Sequence, residues 1–372
     1  MWRGAGRIGV VRVAITLEQC WHRVPGGTAT AALGCVEALG RLTAPPDTVG
    51  VSAWHRNPPE EPFIPSVPVA QLRLPRAALY RCWHKMRWPP IQRATGPVDV
   101  LHATGMAVPP RTAPLVVTVN DLAFLRHPDH FTARGVRFFA QSLELVRNNA
   151  DIVLCPSQHT ADDCLKAGIG ADRVRIVPYW VDDCLAPPQE SEGARQRYGL
   201  AERFVLWVGT AEPRKNLSGL LEAWQMLDRS AEQLVLVGPA GWKSNLNDDL
   251  PTSIRRLGFV SEADKRALMR AAAAVCYPSL TEGFGLPVLE AMVQETPVIT
   301  SATGATAEVA GAAGVLVDPL RPQAIADALA GLLDSPEEAF RLGKRGRERA
   351  RAEFTWQRTA RGLLDVYQEV VD

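Results

Sequence analysis

The chain has 372 residues, more than one small core requires, and a prior of roughly 150 residues per domain predicts two or three domains, two being the simplest reading. Hydrophobic residues make up 47% and charged residues 22%, which excludes a disordered or fibrous protein. The formal net charge of +1 gives no global field for nucleic acid, so partners must be read from local sites and nucleic acid is not expected among them.

Val11 to Leu17 is predicted as the first strand. The apolar stretch that follows Arg3 and Arg7 is too short for an export signal, contains Arg12 and lacks a small-residue cleavage pattern. Pro25-Gly26-Gly27-Thr28 comes next, ahead of a helical run from Ala29 to Leu39; its glycines allow a bound group to approach the backbone, although a plain turn reads the same way. Further strands are predicted in TVGVSAW, DVLHAT, PLVVTVN, DIVLCPS and VRIVPYW, with helical patterns between several of them. Between Arg73 and Arg93, six cations (Arg73, Arg76, Arg81, Lys85, Arg87, Arg93) interleave with Tyr80, Trp83 and Trp88. That pattern fits contact with an anionic membrane surface or an acidic acceptor, and equally a solvated helix face with its aromatics in the core. His102 ends DVLH and is either a polar contact or an internal histidine. Asn120-Asp121 ends the strand Pro114 to Val119, at the edge where α/β sheets bind ligands, and is either a sugar contact or an Asx turn.

Asp182 to Gly199, with Pro187, Pro188 and a Glu-rich polar stretch, reads as a linker. Beyond it FVLWVGT, QLVLVGP, SIRRLGFV, AVCYPS, PVITS and GVLVDP repeat the strand rhythm, so the whole predicts two doubly wound parallel α/β sheets. In WVGTAEPRKNL a strand ends at Gly209 and a helix is predicted from Asn216, a good N-cap residue. Arg214 and Lys215 then flank a helix N-terminus, as a diphosphate cradle or as a solvated basic pair. In YPSLTEGFGLPVLEAM, Glu282 and Glu290 bracket Gly283-Phe284-Gly285-Leu286-Pro287. The glycines permit close approach of a ligand and Pro287 suits a helix start, so amides there favour a negative group. Glu290, one turn in, is placed to accept from sugar or ribose hydroxyls. From Arg321 to Asp372 only helices are predicted, broken near Ser335-Pro336 and Phe354-Thr355.

Together these motifs resemble glycosyltransferase family 4, a retaining family, through E-x7-E at Glu282 and Glu290 and the R-K pair at Arg214 and Lys215. The resemblance covers nearly the whole chain. It implies a GT-B fold, two Rossmann-like domains facing a cleft: residues 1–185 for the acceptor, residues 200–353 for the nucleotide sugar, and residues 354–372 as a helix crossing back. It assigns the donor to Gly209, Thr210, Arg214, Lys215, Gly238, Val260, Glu282, Gly283, Phe284, Gly285, Leu286 and Glu290, with Glu290 on the ribose. Glu282 and the amides of residues 284–286 fall to the donor sugar, and Arg214 and Lys215 to the leaving diphosphate. The catalytic set becomes Glu282, Arg214, Lys215, Asn120 and Asp121, while Gly26, Gly27 and His102 line the acceptor side.

Many relatives carry His-Asp where this chain has Asn120-Asp121, and Asn cannot titrate near neutral pH. No bound metal or other cofactor is expected, since the two cations can neutralise the diphosphate and the chain has no Asp-x-Asp pair. TVNDLAFLRHP looks most like members using GDP-mannose or a related hexose donor; the acceptor class stays open among glycan, lipid-linked and small-molecule. An epimerase of the same fold and a non-catalytic sugar-nucleotide-binding protein are the competing readings. Seven scattered cysteines without a C-x-x-C pair predict a reducing cytoplasm and no zinc site or disulfide framework. No apolar stretch approaches the roughly 20 residues of a membrane span, which leaves peripheral contact with the inner membrane surface as the only membrane role expected.

Overall fold

A computed structural model describes residues 10–227, 229, 231–239 and 251–372. Arg3 and Arg7, weighed above against an export signal, lie outside the described residues.

The first unit follows the chain through β1 (Arg12–Thr16), α1 (Gly26–Gly40), β2 (Asp47–Ser52), β3 (Val69–Gln71), α2 (Arg76–Met86), α3 (Gln92–Thr95), β4 (Val100–Ala103), β5 (Leu115–Thr118), α4 (Ala123–Arg126), α5 (Ala133–Asn149), β6 (Ile152–Cys155), α6 (Gln158–Lys166) and β7 (Val174–Ile176). Its seven strands are ordered β3-β2-β1-β4-β5-β6-β7. The second unit comprises α7 (Pro188–Arg197), β8 (Phe204–Val208), α8 (Leu217–Met226), β9 (Gln233–Val237), β10 (Ile254–Gly258), α9 (Glu262–Ala271), β11 (Ala274–Tyr277), α10 (Leu286–Val293), β12 (Val298–Ser301), α11 (Ala305–Ala310), β13 (Val315–Val317), α12 (Pro322–Asp334) and α13 (Pro336–Glu353); α14 (Trp356–Val371) follows. Its six strands are ordered β10-β9-β8-β11-β12-β13.

Every pairing in both sheets is parallel. Helices cover both faces of such a sheet, which is why β4, β5, β6, β8, β11 and β12 are buried at every position and mostly apolar, with His102, Thr118, Thr300 and Ser301 as buried polar exceptions. Strand order reverses beside β1 and beside β8. A crevice opens at such a reversal, beyond the carboxyl ends of the strands.

Three expectations are corrected. The segment read as a linker is largely the helix α7: Pro188 sits at its first position, where a missing N–H costs nothing, and Tyr198 beyond its end donates to Asp264 at 2.9 Å. The edge strand β3 was not expected, since three half-buried residues leave no periodic signal. Asn216 stands at the N-cap of α8 in the left-handed region, but its amide donates to the Pro319 carbonyl at 2.6 Å instead of capping the helix.

The helix α14 turns back onto the first unit. Its apolar stripe of Ala360, Leu363, Val366 and Tyr367 is buried, and Thr355 caps its start by accepting from the Arg358 amide. Thr359 donates to the Pro178 carbonyl at 2.7 Å, and Arg175 pairs with Glu369.

Candidate active site

At the carboxyl end of β8 the chain turns through Gly209 and Thr210 beside Gly238. A Cβ on Gly238 would lie 2.0 Å from the Gly209 carbonyl oxygen, so the two loops touch through backbone. A short 3-10 turn, Pro213–Lys215, then swings two cations over this edge. Arg214 is clamped between carboxylates: its Nε donates to Glu212 at 2.8 Å and its Nη1 to Glu282 at 2.6 Å. The Arg214 carbonyl accepts from the Leu280 amide at 2.8 Å, which joins this loop to the segment carrying Glu282.

Lys215 differs from its neighbour. Its Nζ stands 5.5 Å from the centroid of the Tyr277 ring and packs on Gly209, where a Cβ would come within 3.0 Å of it. No carboxylate lies within ion-pair distance of it among the described residues. Burial pushes its pKa down, partly opposed by Glu282. Burial acts against the charge of Arg214 too, but Glu282 and Glu212 outweigh it and hold the guanidinium firmly protonated. For Glu282, burial would raise the carboxyl, and Arg214 and Lys215 overcome that to keep it below the usual range. Tyr277 completes the cluster by donating to Glu282 at 2.7 Å; burial and Glu282 itself raise the phenol far above its ordinary value.

The turn after Glu282 is shaped by contact with the first unit. A Cβ on Gly283 would fall 1.6 Å from the Asn120 carbonyl oxygen, so only glycine fits. The Gly283 carbonyl accepts from Ser157 at 2.7 Å and Thr160 at 3.2 Å, both at the start of α6. Gly285 is the N-cap of α10 with φ +107°, Leu286 is the first helical residue and Pro287 the second. The Phe284 ring is buried edge-on between Tyr179 and Phe354, at 5.4 and 5.7 Å between centroids. Only its amide is therefore left for a ligand. Val260, beyond β10, is also buried and can offer backbone alone. Glu290 lies one turn into α10, with Lys265 of α9 2.9 Å from its Oε1.

On the facing unit, Asp121 accepts from the Ala123 amide at 3.0 Å, the Asx turn that was one of its two readings. Asn120 accepts through Oδ1 from the Tyr179 hydroxyl, and its amide nitrogen donates to the Thr104 carbonyl at 3.4 Å. Gly27 faces the donor-side turn directly, since its Cβ would stand 3.8 Å from Leu286 Cδ1, while Gly26 has open space at that position. A second junction lies alongside: Glu308 of α11 accepts from the amides of Gln158 and His159 at 2.9 and 2.6 Å, neutralising the start of α6 from the opposite unit.

His102 is not an acceptor contact. It is buried, with Nδ1 2.7 Å from the Tyr367 hydroxyl and Nε2 2.7 Å from Thr118 Oγ1, so neither nitrogen is left for a ligand. Burial drives its pKa down to about 3. Strand β4 points it under α14, which no local pattern reveals. The cationic stretch also divides. Arg87 turns inward to the carbonyls of Trp83, Val108 and Pro109, and Trp83 is buried, while Trp88 stays exposed with Arg93 over its ring. Among the described residues no helix is long and apolar enough to cross a membrane. His127, Asp129 and His130 lie within 4.8 Å of one another on a turn beyond α4, apart from the cluster around Glu282.

Glu212, Lys265, Tyr179 and Glu308 are among the residues not singled out from sequence. Glu212 stands two places before Arg214 and was legible as its local partner. Lys265, Tyr179 and Glu308 meet their partners only through the fold.

A family model for glycosyl transferases group 1 matches residues 190–349, and one for glycosyltransferase family 4 matches residues 25–184. The chain is 31% identical to the O-antigen chain mannosyltransferase B of Escherichia coli over 284 residues, 72% of this chain and 74% of that protein. It is 32% identical to an MMP alpha-(1->4)-mannosyltransferase of Mycolicibacterium hassiacum, covering 64% of this chain and 58% of that one. Among solved structures, a sucrose-phosphate synthase of Thermosynechococcus elongatus superposes with a TM-score of 0.76 at 22% identity, over 96% of this chain and 98% of that chain. Anabaena HepE in complex with UDP-glucose gives 0.74 at 19%, over 96% and 99%. Both share the two-sheet architecture.

Proposed function

This chain belongs to glycosyltransferase family 4 and is a glycosyltransferase; from that premise we propose that it moves mannose from GDP-mannose, with retention of configuration, onto a glycan, lipid-linked or small-molecule acceptor. The observation that carries a nucleotide diphosphate donor is Lys215, a desolvated ammonium with no carboxylate within ion-pair distance among the described residues, next to Arg214 at the sheet edge where ligands bind. A diphosphate supplies the missing negative charge. As the bond from sugar to phosphate breaks, charge grows on the leaving oxygen, and cations already in place stabilise that state most. Neutralisation thus falls to Arg214 and Lys215, with no metal in the role.

Glu290 takes the ribose in this reading. Glu282, held charged by Arg214 and oriented by Tyr277, faces the donor sugar with the amides of residues 284–286. The acceptor enters from the Gly27 side of the cleft. Mannose rests on the likeness to the two mannosyltransferases and on TVNDLAFLRHP.

Thermal stabilisation of the purified protein by GDP, UDP, ADP and their sugar conjugates tests the donor. A ligand at about 100 times its dissociation constant adds about 2.7 kcal/mol. A shift with GDP and GDP-mannose, unchanged by EDTA, is expected; a shift confined to UDP or ADP species overturns the donor, and loss of the shift in EDTA overturns metal independence.

A further inference from the structure

We infer that Lys265 is a positioning and specificity-determining residue: it holds the Glu290 carboxylate in the orientation that receives a ribose diol, and so sets the preference for a ribonucleotide over a deoxyribonucleotide donor. The inference rests on the assignment of Glu290 to the ribose.

Lys265 sits at the end of the first turn of α9, behind the Ser261 cap, where the helix dipole favours acids and where Glu262 and Asp264 already stand. A lysine is locally unfavourable there. Its partner lies on another helix: Nζ is 2.9 Å from Glu290 Oε1 and 2.8 Å from Glu262 Oε2, and the Lys265 and Glu290 side chains are each 14% exposed while Glu262 is 46% exposed. Glu262 therefore tethers the ammonium at the surface, and the ammonium faces inward to Glu290.

This leaves Glu290 Oε2 without a hydrogen-bond partner among the described residues. A vicinal diol carries two hydroxyl donors, which a charged carboxylate accepts and a protonated one receives poorly. The charged groups that act on Glu290 are Lys265 and Glu262 of α9 and Lys215 beyond β8. Burial raises the Glu290 carboxyl and Glu262 adds to that, while Lys265 and Lys215 oppose. Without Lys265, Lys215 is the one cation left among the described residues to oppose burial, so Glu290 holds its proton to higher pH and its side chain is freed.

The experiment compares wild type, Lys265→Met and Lys265→Arg. Binding of GDP and UDP is measured against their 2′-deoxy counterparts, and KM for the nucleotide sugar is followed from pH 5 to 8. Wild type should prefer the ribonucleotide roughly tenfold or more, the effect of a hydrogen bond to a charged group. Lys265→Arg should keep that preference, and Lys265→Met should lose most of it. In Lys265→Met the rise of KM at low pH should also begin at a higher pH than in wild type, with kcat changed less than KM. Should the methionine variant fail to fold, Lys265→Gln serves the same comparison. Wild type that does not distinguish the sugars overturns the Glu290 assignment and this inference with it. A Lys265→Met protein that keeps both the preference and the pH profile overturns the inference alone.

Discussion

The carbonyl oxygen of Asn120 lies where a side chain on Gly283 would begin: a Cβ there would stand 1.6 Å away. One methyl group at this position forces the two units apart at the mouth of the cleft. Gly283→Ala should lower turnover at least tenfold, about 1.4 kcal/mol in the barrier, because donor and acceptor groups no longer meet. Steady-state kinetics with a circular-dichroism control checks it; an alanine variant with normal kcat/KM sinks the close approach.

Lys215→Ala and Glu290→Ala should each weaken catalysis by roughly tenfold or more. Neither should unfold the protein, since both side chains sit at the cleft edge rather than in the apolar core. Normal turnover and intact donor affinity in both would remove them from the site.

Asn120→His should retain activity, because the imidazole restores the commoner pattern and can accept from Tyr179 as the amide oxygen does now. Tyr179→Phe removes that donor. If the bond matters, Tyr179→Phe and Asn120→Ala together should cost less than the sum of their separate effects in a double-mutant cycle. Complete loss of activity in Asn120→His would show a role that only the amide fills.

His102 links folding to acid. Its folded pKa is depressed to about 3 by burial, against an unfolded value of about 6.5. Between those values the unfolded chain binds a proton that the folded protein refuses, so stability falls as pH drops from about 6.5 towards 3, by at most about 1.4 kcal/mol per pH unit. Below about 3 this contribution no longer changes. Urea unfolding should show a shallower pH slope in His102→Gln over that window than in wild type. An unchanged slope would mean the histidine is accessible.

The strands were legible because strands of a covered parallel sheet are rich in apolar residues, and 12 of the 13 strands among the described residues lie on predicted runs. The exception, Val69–Gln71, is only three residues long with two apolar ones, whereas Val174–Ile176, no more buried, lies in the longer apolar run VRIVPYW. The motifs were legible as short segments, and the loop of Arg214 does come together with the turn of Glu282, but the close approach expected of a ligand at Gly283 is made by the Asn120 carbonyl. What sequence could not supply was the partner at long range. Sequence leaves His102 free to line a cleft, yet its satisfaction comes from Tyr367, 265 positions away, and from Thr118 on the neighbouring strand. The linker reading failed for a different reason, since two prolines mark a break and a helix start equally well.

The return of α14 to the first unit bears on how the molecule is made. During synthesis the amino-terminal half emerges long before Trp356–Val371, the helix whose Tyr367 covers the imidazole in β4. Until then that half carries an uncovered apolar seam, and His102, paired through Nε2 with Thr118, meets water at Nδ1 in place of Tyr367, so its folding is completed only when the last helix arrives. A nascent chain stalled before Trp356 should therefore be digested by protease across its first half, even though every strand of that half has already left the ribosome.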